Sequence, residues 1–118
     1  MSADAESLVY SDAPQHGRWE VRDGERLVGQ ARYVVIPPGG SGRTPRAVFF
    51  HTEVDDDFEG QGVAGRLVTA ALDATVAAGQ VIVPVCPYVA AFVRRHAAQY
   101  DDHVSAPTPA DLDAARTA

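Results

Sequence analysis

A glycine-rich turn between a strand-like run and a helix-like run is the feature that most constrains the fold of this chain. Residues 60–65 read Gly-Gln-Gly-Val-Ala-Gly. The alternating run Arg46–Val54 before the turn predicts a strand, and apolar residues at helical spacing after it predict a helix to about Ala78, capped by Gly79. Glycines let a ligand approach the backbone, and a helix start presents unsatisfied N–H donors at a positive dipole end. We therefore expect either a phosphate site or a purely structural turn here.

The remaining periodic segments complete an α+β pattern. Residues 18–22 and 26–36 predict two strands joined at the hairpin signal Asp23-Gly24, and the Pro- and Gly-rich residues 37–42 predict a loop. Residues 81–85 predict a short strand, and Pro87 favours the first turn of a second helix. The order of three strands, helix, strand and helix predicts one domain with a mainly antiparallel sheet packed against two main helices. We place a flexible leader at 1–15, the domain at 16–104, and at 105–118 a polar tail in which Thr108-Pro109 predicts a short helix.

On strand Arg46–Val54, period-two alternation separates two faces. Val48, Phe50, Thr52 and Val54 are predicted to face the core, and Phe49, His51 and Glu53 the opposite side.

Composition excludes several classes of protein. The formal net charge of the 118 residues is -6, which disfavours a nucleic-acid partner and mildly favours a cationic one such as an amine. All ten basic residues are arginine, so mechanisms that need a lysine are excluded. The single cysteine predicts a reducing compartment, and the polar N-terminus and short apolar runs predict a cytoplasmic chain without signal peptide or membrane span. His51, His96 and His103 match no zinc spacing, so no metal site is expected.

A dinucleotide site is the first alternative for the turn. Gly60, Gly62 and Gly65 match the spacing G-x-G-x-x-G. However, the next strand ends at Val85-Cys86-Pro87 without the carboxylate that would bind a ribose, and the preceding strand belongs to a hairpin meander. The context therefore disfavours NAD.

Residues 51–54, 58–68 and 83–89 together resemble a small branch of the GNAT superfamily of acyl-CoA N-acyltransferases, over roughly residues 18–104. The resemblance implies acetyl-coenzyme A as co-substrate, with its pyrophosphate on the amides from Gln61 to Arg66. It also implies that the strands holding Glu53 and Val83 splay apart to admit the pantetheine arm. The implied cofactor-binding residues are Val54, Gly60, Gln61, Gly62, Val63, Ala64, Gly65 and Arg66. Two departures are Glu59, where the family pattern has Gln or Arg, and the absence of the usual helix pair between the first two strands.

The implied activity is transfer of an acetyl group to a primary amine of a small molecule or peptide. Glu53 is the first candidate for the general base, and its alternative is a solvated strand residue. His51 is the second candidate, and its alternative is a partly buried packing residue. Cys86, at a helix start, is interpreted either as a buried small hydrophobe or as a nucleophile that takes the acetyl group first. Tyr88 is interpreted as the acid that protonates the leaving thiolate or as a packing aromatic.

A second class of function stays open at this point. The missing helix pair and Glu59 also fit a non-catalytic module that binds or senses acyl-coenzyme A. The oligomeric state, monomer or dimer, is left open by the sequence.

Overall fold

A five-stranded sheet forms the centre of the molecule. The computed structural model describes residues 7–39 and 44–118. The strands are β1 (Val9–Ala13), β2 (Arg18–Asp23), β3 (Arg26–Ile36), β4 (Arg46–Val54) and β5 (Val81–Pro84), in that spatial order. All neighbouring pairs are antiparallel except β4 and β5, which are parallel. The helices are α1 (Val63–Ala77), α2 (Pro87–Arg95), α3 (Ala97–Tyr100) and α4 (Pro109–Thr117). The predicted α+β class with a mainly antiparallel sheet is confirmed.

Strand β1 corrects the expectation of a flexible leader over residues 1–15. Val9 pairs with Arg22 and Ala13 with Arg18, so β1 is an edge strand hydrogen-bonded to β2. Most residues of β1 are exposed. An exposed edge strand shows little alternation of apolar and polar residues, so the sequence pattern does not predict it. The part of the predicted leader before residue 7 lies outside the described residues.

No α-helix lies between the described strands that precede β4. A 3₁₀ turn at Pro14–His16 and Gly17 join β1 to β2, and a short turn at Gly24 joins β2 to β3. Neither connection contains the helix pair that was expected to be missing at Asp23-Gly24.

Strand β4 has the predicted bounds but not the predicted faces. Phe49 is 1% exposed and lies in the core, whereas Phe50 is only partly buried. The register with β3 shifts between Arg32, opposite His51, and Tyr33, opposite Phe49. Phe50 is thus an extra residue on β4, and such a bulge breaks the alternation of side chains. The assignment of Phe49 to the face of His51 and Glu53 was wrong for this reason.

Helix α1 covers one face of the sheet. Its buried positions Leu67, Val68, Ala71, Leu72 and Thr75 recur at helical spacing, as predicted. They pack with Phe49, Ile82 and Phe92 in one cluster and with Val21 and Phe58 in another. The burial of these apolar side chains fixes the position of the first turn of α1 relative to the end of β4.

Helix α4 lies against β3 and β4 and is tied to them by a buried ion pair. Asp111 is fully buried and accepts hydrogen bonds from Arg46 Nε (3.0 Å) and Nη2 (2.8 Å). Thr108 begins the helix through a reciprocal capping box with Asp111. The C-terminal segment 105–118, expected to be a polar tail, therefore contacts a central strand.

Candidate functional site

The glycine turn has a backbone that only glycine adopts easily. Gly60 (φ +80°) and Gly62 (φ +76°) are both left-handed, and Gly62 caps α1. Phe58, 1% exposed, anchors the 3₁₀ turn Asp56–Phe58 before them. The turn is thus fixed to the core on one side and leads directly into a 15-residue helix on the other.

The backbone N–H groups at the start of α1 are available to a ligand. The amides of Gly62, Val63, Ala64 and Gly65 have no acceptor among the described residues, as is usual for the first turn of a helix. Two amides of the implied set are already engaged: Gln61 N donates to Phe58 O (3.3 Å) and Arg66 N to Gly62 O (3.1 Å). The side chain of Arg66 is exposed and makes no ion pair with a described residue.

A groove of about 330 Å³ opens over these amides. It brings together residues from the end of β4, the turn and the start of α2. A Cβ placed on Gly65 would lie 3.8 Å from the Tyr88 hydroxyl, so Tyr88 borders the groove opposite the helix start. The lining residues are Val54, Asp56, Phe58, Glu59, Gly60, Gly62, Val63, Ala64, Gly65 and Tyr88.

Strands β4 and β5 separate beside this groove. Their pairing begins at Arg46 with Val81 and ends at Phe49 with Pro84. The amides of Val85 (3.0 Å) and Cys86 (2.8 Å) both donate to the carbonyl of Phe49, which marks the apex of the separation. Beyond it, the β4 edge has no strand partner on this side within the described chain up to Val54. The divergence lets an extended ligand run along β4 from the glycine turn toward Phe49.

Glu53 and His51 lie together on the exposed side of β4. Their side chains are 56% and 51% exposed, and His51 Nε2 is 3.5 Å from Glu53 Oε2. The Gln30 amide, opposite Glu53 in the register with β3, donates to Glu53 Oε1. Hydrogen bonds from Gln30 and then His51 lower the pKa of Glu53, so this carboxyl is ionised at neutral pH.

A second, smaller groove lies beside Glu53. Its lining runs from Leu27 to Gln30 on β3 and from Glu53 to Asp55 at the end of β4. Val54 lines both grooves. Glu53 thus lines the smaller groove but not the groove over the helix start, whereas His51 borders neither.

Cys86 is buried at the N-cap of α2. It is 5% exposed and its Sγ lies 3.5 Å from the Thr52 hydroxyl. It contributes to the core cluster with Phe49 and Val89. It lines neither of the two grooves.

Sequence reasoning assigned no site role to Gln30, Thr52 or Phe58. The position of Gln30 follows from the hairpin register, since an antiparallel pairing that places Ala31 opposite Thr52 also places Gln30 opposite Glu53. Asp56 and Phe58 become lining residues only through the 3₁₀ turn, for which the acidic run 55–57 held no distinct signal.

The described residues form neither a metal cluster nor a helix that could span a membrane. No group of three or more His, Cys, Asp or Glu side chains is placed to hold a metal ion. No helix there has the length and apolarity that crossing a membrane requires.

Comparison with known proteins identifies a family. Residues 18–103 match the family model described as GCN5-related N-acetyl-transferase. No curated protein matches the chain. The similar solved structures include a ribosomal-protein-alanine N-acetyltransferase from Brucella melitensis biovar Abortus 2308, at 22% identity and a TM-score of 0.52, with 76% of this chain and 62% of that chain covered.

Two further solved structures are similar at the level of the fold. An aminoglycoside acetyltransferase from an uncultured soil metagenomic sample, in complex with sisomicin, has 17% identity and a TM-score of 0.51, with 85% of this chain and 54% of that chain covered. A transcriptional regulator from Bacillus halodurans C-125 has 21% identity and a TM-score of 0.50, with 57% and 45% covered. The chain therefore spans about half to three-fifths of the length of these proteins.

Proposed function

Because the chain belongs to the GCN5-related N-acetyltransferase family, we propose that it transfers the acetyl group of acetyl-coenzyme A to a primary amine of a small molecule or peptide. The observation that carries the proposal is the row of unbonded amides from Gly62 to Gly65 at the start of a long helix. Such amides and the helix dipole stabilise a pyrophosphate. The unpaired edge of β4 beyond Phe49 gives the pantetheine arm a strand to follow.

In this proposal Glu53 acts as the base. The Glu53 carboxylate is ionised, which is the form that accepts the proton of the incoming ammonium, directly or through a water; its lowered pKa makes it a weak base, so only a small fraction of the bound amine is neutral at any moment. The neutral amine then attacks the thioester carbonyl, a C–N bond forms, the C–S bond breaks, and the nitrogen loses its second proton to solvent, from which Tyr88 is later reprotonated. The leaving thiolate takes a proton, for which Tyr88 is the donor nearest the glycine turn.

We assign Cys86 to packing rather than to a covalent step. An attacking thiolate must reach the thioester, and Cys86 is 5% exposed and directed at Thr52. Under this assignment, Cys86→Ala keeps a measurable acetylation rate, and no acetylated protein accumulates when wild type is mixed with acetyl-coenzyme A alone. Acetylated Cys86 in a peptide map would support the covalent alternative instead.

The experiment that tests the activity is a screen of primary amines against acetyl-coenzyme A, with coenzyme A release and acetylated product both measured. Once an acceptor is found, Glu53→Gln is expected to lower the rate at least about tenfold with little change in acetyl-coenzyme A affinity. Asp57→Asn, an exposed carboxylate outside both grooves, is the matched control. An unchanged rate for Glu53→Gln would place the base elsewhere.

A non-catalytic acyl-coenzyme A-binding module is the second candidate. Two observations favour it: no helix pair precedes β4 in the described chain, and the Glu59 carboxylate borders the groove that would hold an anion. This candidate predicts micromolar binding of acetyl-coenzyme A with no coenzyme A release for any amine.

A further inference from the structure

A cavity of about 440 Å³ lies at the opposite end of α1 from the glycine turn. It is enclosed by the β1–β2 connection, by β3, and by the last turns of α1 around Ala74 and Ala78. It shares no lining residue with the glycine-turn groove or with the groove beside Glu53. It is therefore a separate concave site that acetyl transfer as proposed above does not use.

The walls of the cavity are aromatic. Trp19, Tyr33 and Phe49 line it from three different strands, and the rings of Tyr33 and Phe49 are 5.6 Å apart between centroids. Phe49 is fully buried, so its ring belongs to the wall and does not move into solvent. Electron-rich ring faces attract cations as well as apolar groups.

One charged side chain borders the cavity. Asp12 accepts a hydrogen bond from the Tyr33 hydroxyl at 2.7 Å, which leaves its second oxygen available. Asp12 forms no ion pair with a described residue, and the lining contains no arginine or histidine. Gln80 supplies a side-chain amide that has no hydrogen-bond partner among the described residues. The cavity thus combines apolar walls with a single negative charge that is held in place by a tyrosine.

We propose that this cavity binds an organic ammonium ion with an aromatic or apolar body, whose charged nitrogen pairs with Asp12 while its body contacts Trp19 and Tyr33. Asp12 is exposed, so with a neutral ligand of the same shape its oxygen is hydrogen-bonded by water or by the ligand hydroxyl; only an ammonium adds an ion pair, so the site binds amines more tightly than alcohols. The inference does not depend on acetyl transfer, because every residue in it lies outside the two grooves assigned to that reaction.

Trp19 provides the assay, since it is the only tryptophan of the chain. Wild-type protein is titrated with 2-phenylethylamine and, separately, with 2-phenylethanol at pH 7, and Trp19 fluorescence is followed. We expect saturable quenching or enhancement by the amine, with the alcohol at least about tenfold weaker.

Variants at Asp12 and a distant carboxylate complete the test. Asp12→Asn is expected to weaken the amine at least about tenfold and to leave the alcohol unchanged, whereas Asp23→Asn, at the exposed far end of β2, should change neither. Acetyl-coenzyme A affinity, measured by calorimetry, should be the same in all three proteins, which separates failure of this site from failure of the proposed function. Three results would each overturn the proposal. The first is equal affinity of the wild-type protein for amine and alcohol, and the second is equal affinity of wild type and Asp12→Asn for the amine. The third is no change in Trp19 fluorescence together with no amine binding in equilibrium dialysis.

Discussion

The buried ion pair between Arg46 and Asp111 allows a prediction whose magnitude follows from the structure. Asp111→Ala removes two hydrogen bonds from Arg46 and the two that the Thr108 amide and hydroxyl donate to the carboxylate, whereas the backbone N–H of residue 111 still donates to Thr108 Oγ1. Breaking a buried pair costs about 3–5 kcal/mol, and the lower end applies because the Arg46 side chain remains 26% exposed. Loss of the two bonds from Thr108 adds about 1 kcal/mol.

Together these losses lower the free energy of unfolding by about 4 kcal/mol, a large part of the stability of a domain this size. Thermal unfolding followed by circular dichroism should show a fall in Tm of at least about 10 °C. Asp113→Ala is the matched control on the same helix, because Asp113 and Arg116 form an exposed pair. It should shift Tm by less than about 2 °C.

The same pair makes stability depend on pH. Hydrogen bonds from Arg46 and Thr108 lower the pKa of Asp111 from 3.8 to about 2. The unfolded chain therefore binds a proton at Asp111 before the folded one does, and the stabilisation is present above pH 4 and lost between about pH 4 and 2. It amounts to about 2 kcal/mol. In urea unfolding, the free energy of unfolding should fall between pH 4 and pH 2, and the fall should be about 2 kcal/mol smaller in Asp111→Ala than in wild type. Equal pH dependence, or equal Tm values for the Asp111 and Asp113 variants, would refute the reasoning.

Three further predictions concern the candidate site. Gly65→Ala lies inside α1, where alanine favours the helix and its methyl group meets no atom nearer than 3.8 Å, so we expect an unchanged or higher Tm. Because the methyl group enters the groove, calorimetry should show acetyl-coenzyme A binding that is at least about tenfold weaker. Equal affinity would mean that the ligand does not touch Gly65. Glu59→Gln removes a negative charge from the groove and is expected to strengthen binding of this anionic ligand about two- to fivefold, less so at high salt. Weaker binding would show that Glu59 contacts the ligand directly. Gln30→Leu removes the first cause of the lowered pKa of Glu53, so the acidic limb of the pH–rate profile should move to higher pH, and an unmoved limb would mean that another group controls it.

The local features of the fold were predictable from sequence, and the long-range ones were not. The glycine turn and the bounds of β4 follow from residues that are neighbours in the chain, because left-handed glycines and period-two or period-3.6 patterns act over a few residues. Strand β1 was missed because its edge position leaves it exposed. The bulge at Phe50 depends on the register with β3, which period-two alternation within β4 alone does not reveal.

The candidate site divides in the same way. The amides at Gly62 to Gly65 lie at the helix start that the local pattern predicts, and Tyr88 borders the same groove. Gln30 and Glu53 are hydrogen-bonded although they lie 23 residues apart in the sequence, and Arg46 and Asp111 lie 65 residues apart. Such pairs are set by tertiary packing. The burial of Cys86 likewise follows from its position beneath Thr52 in the packed core, which a lone cysteine at a helix start does not reveal.

The most direct test of the account is calorimetric titration of the purified protein with acetyl-coenzyme A and, separately, with NAD. Binding through the amides at the start of α1 predicts micromolar affinity for acetyl-coenzyme A, loss of that affinity in Gly65→Ala, and none for NAD. Absence of binding to both ligands by folded wild-type protein would show that the glycine turn is structural, and the proposed acetyl transfer would have to be abandoned.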